Sequence, residues 1–163
     1  MTVSLYLYTV KQRIYIDTSV IGGYYDEEFQ EVTRELFKRL ENNEITFVLS
    51  DLLDLELLEA PEQVRQLLEK YSADKFERVA LTADAIQLAD AYVTEKVVGK
   101  TSLEDCRHIA LATINRVDVL ASWNFKHIVN LDRIKGYNSV NLRLGFPMIE
   151  IRSPKDLIKY GND

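Results

Sequence analysis

Short apolar runs alternate with segments of helical periodicity along this chain, and this alternation constrains the fold more than any single motif. The runs that we predict to be strands cover residues 13–17, 45–49, 78–81, 119–122 and 148–151. Between them, apolar residues recur at helical spacing, as in the series from Phe29 to Leu40 and from Ala85 to Val93. Alternating strands and helices predict an α/β protein, here a three-layer α/β/α sandwich with a mostly parallel central sheet.

The region after the fourth predicted strand is rich in residues that break regular structure. Trp123-Asn124-Phe125 is predicted to form a turn that leads into a short helix. Gly136, Gly145 and Pro147 are interpreted as turns around one or two late strands.

The length of the chain, 163 residues, predicts a single domain with a substantial core. We expect residues 13–151 to form this domain, residues 1–12 to be an N-terminal extension, and residues 152–163 to be a C-terminal tail. Ser153-Pro154 is a typical helix start, so a short helix is expected in the tail.

Composition excludes several classes of protein. A single cysteine, Cys106, excludes a disulfide framework, and its place in a helical pattern favours a buried packing role. No apolar run reaches the roughly 18 residues of a membrane span, and the first residues lack the features of a signal peptide, so we expect a cytoplasmic protein with no membrane partner. The formal charge of −6 disfavours broad attraction to nucleic acid, and it suits either a carboxylate site for a cation or a basic protein partner.

Three acids and one amide follow the predicted strands. Asp17 ends the first strand, Glu56 lies on the helix after the second, Asp105 lies in the first turn of a later helix, and Asn124 follows the fourth strand. The carboxyl ends of parallel strands meet at one edge of a sheet, so we expect these side chains to converge there.

Three carboxylates in one place repel each other unless one is protonated or a cation lies between them. Mg²⁺ or Mn²⁺, which prefer oxygen ligands, would remove this repulsion. Such an ion lowers the pKa of bound water and stabilises charge on a phosphodiester. The set therefore favours hydrolysis of a nucleic-acid backbone.

Each residue also has a simpler explanation. Asp17 can begin a turn in which Ser19 caps the next helix. Glu56 can be a solvated glutamate, and Glu59 is then the nearest alternative for its role.

The other two candidates have structural alternatives as well. Asp105 can complete a capping box with Ser102, either instead of binding a metal or in addition to it. Asn124 can serve only as a turn former.

The order of these motifs resembles that of PIN domains. The resemblance lies in Ile14–Ser19, in Glu56, in Glu104–Ala110 and in Ser122-Trp123-Asn124, and it extends over about residues 13–151. PIN domains are Mg²⁺- or Mn²⁺-dependent ribonucleases, and many are VapC-type toxins of bacterial type II toxin–antitoxin pairs. The resemblance thus implies a PIN-like fold and a metal-dependent endoribonuclease.

By position, the resemblance makes Asp17, Glu56 and Asp105 the acids of the metal site. It places Thr18 and Ser19 along the turn after the first strand, where they can contact substrate. Where the family commonly has a fourth aspartate, this chain has Asn124, whose amide oxygen can still bind a metal or its water but carries no full charge.

Several other residues have two interpretations. His108 is expected to pack beneath the site rather than to bind a metal. Lys126 and His127 follow Asn124 in a locally basic region, and they either contact RNA or form ordinary surface. Tyr137 can stack on a base, and the Tyr24-Tyr25 pair can form a substrate shelf, an interface or a local apolar plug.

The sequence therefore supports two functions of different classes. The first is an endoribonuclease toxin that cuts RNA, is inhibited by an antitoxin from a neighbouring gene, and forms a homodimer. The second is a PIN-like module that binds RNA or protein with weak or no catalysis, since Asn124 removes one charge from the site.

Overall fold

The centre of the molecule is a five-stranded sheet in which all neighbouring strands run parallel. A computed structural model describes residues 11–158. The strands are β1 (Gln12–Ile16), β2 (Ile45–Ser50), β3 (Phe76–Val79), β4 (Val119–Ala121) and β5 (Ile151–Arg152). Their order across the sheet is β3-β2-β1-β4-β5. From β1, the chain therefore adds β2 and β3 on one side, and then crosses over to add β4 and β5 on the other side of β1.

Helices cover both faces of the sheet. They are α1 (Thr18–Gly23), α2 (Gln30–Glu41), α3 (Asp51–Leu57), α4 (Glu62–Gln66), α5 (Ala83–Thr94), α6 (Leu103–Ile114) and α7 (Leu131–Arg143). Single turns of 3-10 helix lie at Leu67–Lys70, Ala73–Lys75, Lys100–Ser102 and Pro154–Leu157.

The alternating direction of side chains along β1 divides the core in two. Ile14 and Ile16 belong to a cluster with residues of α1, α2 and α3, whereas Tyr15 belongs to a cluster with residues of α5, α6 and α7. All three side chains are fully buried. The central strand is thus apolar on both faces, as expected for a parallel sheet between two helical layers. The predicted three-layer α/β/α sandwich is confirmed.

The prediction for the region after β4 was wrong in part. A 13-residue helix, α7, occupies residues for which only a short helix and turns were expected, and Gly136 lies inside it. A methyl group at Gly136 would lie 2.7 Å from Val97 Cγ1, so glycine is needed here for close packing and not for a turn. The late strand is also shorter than predicted, with only Ile151–Arg152 paired.

The tail after β5 packs against the core. The short helix expected there is a 3-10 turn, Pro154–Leu157, and Leu157 and Ile158 lie against the cluster that contains α2. The expectations for residues 1–10 and 159–163 fall outside the described residues. Among residues 11–158, no helix is both long enough and apolar enough to cross a membrane.

Candidate active site

The predicted site residues lie where the central strands end. Asp17 directly follows β1, Ser50 ends β2, and Ser122 directly follows β4. Because the three strands are parallel, their carboxyl ends lie at one edge of the sheet. The crevice between β1 and β4 is where the strand order changes direction, which is the usual position of ligand sites in open α/β sheets.

Two serine hydroxyls hold the Asp17 carboxylate in place. Ser19 Oγ donates to Oδ1 at 2.5 Å, and Ser122 Oγ donates to Oδ2 at 2.6 Å. Asp17 is only 5% exposed, and this burial raises the pKa of its carboxyl group, although the charge of His108 and the serine hydrogen bonds act in the opposite direction. The two serines join the ends of β1 and β4 around one buried acid.

Glu56 is held by both of its carboxylate oxygens. Oε1 lies 2.6 Å from Nε2 of His108, and Oε2 accepts a hydrogen bond from the Thr18 hydroxyl. Partial burial tends to raise the pKa of Glu56, but the hydrogen bond and positive charge of His108, together with Thr18, lower it overall. Glu56 is therefore an ionised, oriented acid and not a freely solvated glutamate.

His108 connects Glu56 to the interior. Its ring is 2% exposed, and Nδ1 lies 2.7 Å from the hydroxyl of Tyr15, which also donates to Ser50 Oγ at 2.9 Å. Burial lowers the pKa of His108, but the Glu56 carboxylate raises it overall. Both ring nitrogens thus have oxygen partners, an arrangement that suits the imidazolium form. This is the packed position beneath the site that the sequence predicted.

The same network determines the position of α3. Ser50 Oγ also accepts a hydrogen bond from Leu53 N–H at 3.1 Å, which caps the helix. Ser50 therefore joins the start of the helix that carries Glu56 to the end of β2 and, through Tyr15, to β1.

Asp105 and Asn124 form the other side of the site. Asn124 Nδ2 donates to Asp105 Oδ2 at 3.3 Å. Asn124 Oδ1 accepts from the backbone N–H groups of Lys126 and His127, at 3.2 and 3.0 Å. These two backbone donors fix the direction of the amide, so Asn124 presents a donor to Asp105 and not a ligand oxygen.

The charges of the three acids act on one another. Burial raises the pKa of Asp105, and the negative charge of Asp17, followed by that of Glu56, raises it further. Ser102 precedes α6 but makes no side-chain cap within the described residues, so the capping box does not form. Asp105 is thus a half-buried carboxylate that bears the repulsion of two others.

The donor chemistry and the geometry give different answers about a metal ion. Carboxylate oxygens under mutual repulsion are the ligands that Mg²⁺ and Mn²⁺ prefer. Within residues 11–158, however, no three His, Cys, Asp or Glu side chains are grouped so as to hold a metal. The Glu56 carboxylate is already paired with His108, whereas the partners of Asp17 are neutral serine hydroxyls, which makes Asp17 and Asp105 the better ligand candidates.

The remaining sequence candidates divide into those near the acids and those elsewhere. Lys126 is exposed, and the backbone N–H groups of Lys126 and His127 both donate to Asn124 Oδ1, so both residues lie beside the site. Tyr137 is fully buried, with its hydroxyl donating to His127 O, and cannot stack on a base. Tyr24 packs edge-on against Phe37 and lies against the core, as the local apolar plug requires.

Sequence reasoning missed the residues that support the acids. Ser122 contacts Asp17, Tyr15 contacts His108, and Ser50 contacts Tyr15, but all three lie inside or beside apolar strands. For Ser122 a signal was available, because it ends the predicted fourth strand at the edge where Asp17 lies. No such signal exists for Tyr15, because an aromatic residue in a buried strand usually only packs in the core.

Solved structures of toxin–antitoxin proteins share this fold. VapBC2 from Rickettsia felis, solved with a DNA fragment from its promoter, has a TM-score of 0.53 and 12% identity over 87% of this chain and 98% of that one. VapC20 from Mycobacterium tuberculosis, a sarcin–ricin loop cleaving toxin, has a TM-score of 0.52 and 14% identity over 69% and 91%. A toxin–antitoxin complex from Klebsiella pneumoniae has a TM-score of 0.51 and 17% identity over 69% and 88%.

No protein-family model and no curated protein matches the chain. The resemblance to VapC-type PIN domains is therefore confirmed at the level of the fold, and at 12–17% identity the solved structures carry it no further.

Proposed function

We propose that this protein is a metal-dependent endoribonuclease and the toxin of a type II toxin–antitoxin pair. The observation that carries the proposal is the meeting of Asp17, Glu56 and Asp105 at the carboxyl edge of the sheet, where Ser122 holds Asp17, Thr18 holds Glu56 and Asn124 contacts Asp105. These acids come from three separate elements of a fold that VapC-type toxins share. The proposal includes a cytoplasmic location, where RNA and an antitoxin would be met.

In this proposal, Asp17 and Asp105 would hold a Mg²⁺ or Mn²⁺ ion. When bound, the ion supplies a polarised water and stabilises negative charge on the phosphodiester. Ser19 and Ser122 hold Asp17 through both carboxylate oxygens, so the acid is oriented before any substrate arrives.

Glu56 has a different part in the proposed reaction. His108 and Thr18 keep its carboxylate ionised and fixed, so Glu56 can accept a hydrogen bond or a proton from a water molecule. Glu56 lies beside Asp17 and Asp105, and this position supports its role as an acceptor. Lys126, exposed after Asn124, supplies a positive charge that can contact an RNA phosphate.

The antitoxin would dock on the outer face of α3. Leu55 in α3 and Leu58 directly after it are 62% and 66% exposed, and Glu56 lies between them in sequence. A partner that covers these leucines lies close enough to place a basic side chain against the acids. Co-purification with the product of a neighbouring gene tests this, and Leu55→Ser/Leu58→Ser should release that partner without unfolding the protein.

A homodimer is part of the same proposal. Leu142, Leu144 and Met148 are at least half exposed around the end of α7, and these apolar side chains support a second contact surface. Light scattering of the purified chain decides between monomer and dimer.

The second candidate function is a PIN-like module that binds RNA or protein with weak or no catalysis. It is favoured by one observation, the Asn124 amide that faces Asp105 where a fourth carboxylate would add charge. This candidate and the enzyme differ in a single measurement, which is metal-dependent cleavage.

The test compares RNA cleavage by the wild type, Asp17→Asn and Asp105→Asn, with Mn²⁺, with Mg²⁺ and with a chelator. We expect cleavage only by the wild type with metal, and a loss on the order of 100-fold or more in each variant. Calorimetric titration with Mn²⁺ gives a readout that is independent of activity, and binding should weaken in both variants.

Glu59→Gln is the matched control, because Glu59 is an exposed acid just after α3. It should cleave RNA and bind Mn²⁺ like the wild type. The enzyme hypothesis is wrong if the wild type does not cleave RNA with either metal, or if all variants cleave equally.

A further inference from the structure

Phe125 is an exposed aromatic side chain beside the acids. It is 48% exposed, and among residues 11–158 it is the only aromatic in the group of large exposed apolar side chains. It directly follows Asn124, whose side chain contacts Asp105. An exposed aromatic ring beside a polar site can gain free energy when a ligand covers it.

A rigid aromatic support lies behind Phe125. The Trp123 indole meets the Phe125 ring edge-on with centroids 6.0 Å apart, and it stacks on Phe29 at 4.2 Å with an interplanar angle of 20°. Trp123 Nε1 donates to Thr33 Oγ1 at 3.0 Å. Phe125 therefore rests on a ring that is held on its other side.

Gly23 shows how closely the indole is enclosed. A methyl group at Gly23 would lie 2.7 Å from Trp123 Nε1, which is closer than real contacts allow. Glycine is therefore required here, and the indole that supports Phe125 packs closely against α1.

The aromatic support is joined directly to the acids. Ser19 Oγ, which donates to Asp17 Oδ1, also accepts a hydrogen bond from Trp123 N–H at 2.9 Å. The Phe125 ring is therefore placed relative to Asp17 through Trp123 and Ser19, and relative to Asp105 through its neighbour Asn124.

A positive charge beside Phe125 suits a phosphate. Lys126, the next residue, is exposed and positively charged. An exposed aromatic face beside a cation is a combination that binds a single-stranded nucleotide.

We propose that Phe125 is a stacking platform for one unpaired base of the RNA, next to the phosphodiester at the acids. This inference rests on the proposed function, since it assumes that RNA binds at Asp17 and Asp105. A base in a duplex already stacks on its neighbours on both sides, so the platform selects single-stranded or looped RNA over duplex. A protein partner fits Phe125 less well, because the exposed leucines proposed above as its docking surface, Leu55 and Leu58, lie at the end of α3 and not beside Phe125 in the chain.

The chain contains its own reporter for this contact. Trp123 is the single tryptophan of the sequence, and it lies under Phe125. A base that stacks on Phe125 changes the surroundings of this indole, so titration with single-stranded RNA should change the intrinsic fluorescence. The same RNA as a duplex should give a much smaller change at equal concentration.

Affinity is measured by fluorescence anisotropy with a short fluorescein-labelled single-stranded RNA of mixed sequence. The full-length protein carries Asp17→Asn so that the RNA stays intact. Phe125→Ala and Phe125→Leu should each weaken binding by on the order of tenfold, because leucine fills the space but has no aromatic face. Phe125→Trp should bind as tightly or more tightly.

Leu131→Ala is the matched control, because Leu131 is 69% exposed and apolar but not aromatic. It should leave the affinity unchanged. The platform is refuted if Phe125→Ala binds like its parent, if Leu131→Ala loses as much, if duplex binds as well as single strand, or if no RNA binds. It is also refuted if Phe125→Ala still binds RNA like its parent but no longer binds the protein encoded by the neighbouring gene.

Two results separate this inference from the proposed function. If the wild type cleaves RNA with metal and Phe125→Ala binds and cleaves equally well, the platform is wrong and the nuclease stands. If RNA binding depends on Phe125 but the wild type never cleaves RNA, the nuclease is wrong and the platform stands.

Discussion

His108 Nε2 and Glu56 Oε1 lie 2.6 Å apart and form an ion pair that is almost closed to solvent on the histidine side. The pair joins α6, which also carries Asp105, to α3. The helix that supplies one acid therefore orients another, so the two cannot move independently.

We expect His108→Leu to lower the free energy of unfolding by about 2–4 kcal/mol. The substitution leaves the Glu56 carboxylate and the Tyr15 hydroxyl without their partner in a partly buried setting. Urea denaturation of the metal-free protein measures this. Tyr15→Phe is the control, because it removes one hydroxyl and keeps the ion pair, and it should cost about 1 kcal/mol.

His108→Gln distinguishes orientation of Glu56 from simple stability. Glutamine can donate one hydrogen bond but carries no charge, so we expect slower cleavage with a changed pH profile at a temperature where the variant is folded. Unchanged cleavage and an unchanged pH profile would show that the pair only stabilises the fold.

Asn124→Asp should tighten Mn²⁺ binding on the order of tenfold and lower the stability of the metal-free protein. The change replaces the amide donor at Asp105 with a fourth carboxylate, while the oxygen that accepts from Lys126 and His127 N–H is kept. Calorimetric titration and thermal unfolding measure the two effects. Asn130→Asp is the control, since Asn130 caps α7 through Arg133 N–H, and it should leave Mn²⁺ affinity as it is.

Gly136→Ala should destabilise the protein by about 1–3 kcal/mol, although alanine is the better helix former. Its methyl group would clash with Val97 Cγ1 at 2.7 Å. Adding Val97→Ala should recover part of the loss, which a double-mutant cycle measures. Gly22→Ala, a helical position with open space among residues 11–158, should be tolerated; an equal loss there would contradict the packing explanation.

Arg13 and Glu77 predict a specific acid sensitivity. Arg13 Nε and Nη2 donate to the two carboxylate oxygens of Glu77 at 2.7 and 2.6 Å, and this hydrogen bonding lowers the pKa of Glu77 below its ordinary value of 4.5. The pair therefore stabilises the fold fully above pH 4.5, and this stability is lost as the pH falls through the lowered pKa.

We expect Glu77→Gln to cost about 0.5–1 kcal/mol near neutral pH, because the two side chains are 30% and 40% exposed and solvent screens them. The difference from the wild type should vanish in strong acid. Denaturant unfolding across this pH range measures it, with the exposed Glu59→Gln as control. A difference that persists at low pH would mean that packing, and not charge, holds the pair.

The sequence predicted the sheet and the acids because both depend on local pattern. Residues 13–17 combine a buried strand with a terminal carboxylate, and a parallel sheet then requires Asp17 to lie at the ligand edge. The partners of these acids depend on contacts between distant elements. The bond from Glu56 to His108 joins residues that no spacing rule relates.

The missed helix α7 has a similar explanation. Its inward face includes two buried amides, Asn138 and Asn141, which interrupt the apolar period. Asn138 bonds both backbone groups of Ile149, and Asn141 accepts from the Tyr92 hydroxyl at 2.5 Å. Buried amides are satisfied in the folded chain by residues from other elements, so periodicity alone cannot identify such a helix.

Cys106 lies next to Asp105 on α6, is fully buried, and is the single cysteine of the chain. Burial raises the pKa of its thiol to about 12, so a thiol reagent cannot modify it in the closed protein. The rate of modification in native buffer therefore measures how often this helix detaches from the core. The Cys106 thiol thus reports the local opening of α6 next to Asp105.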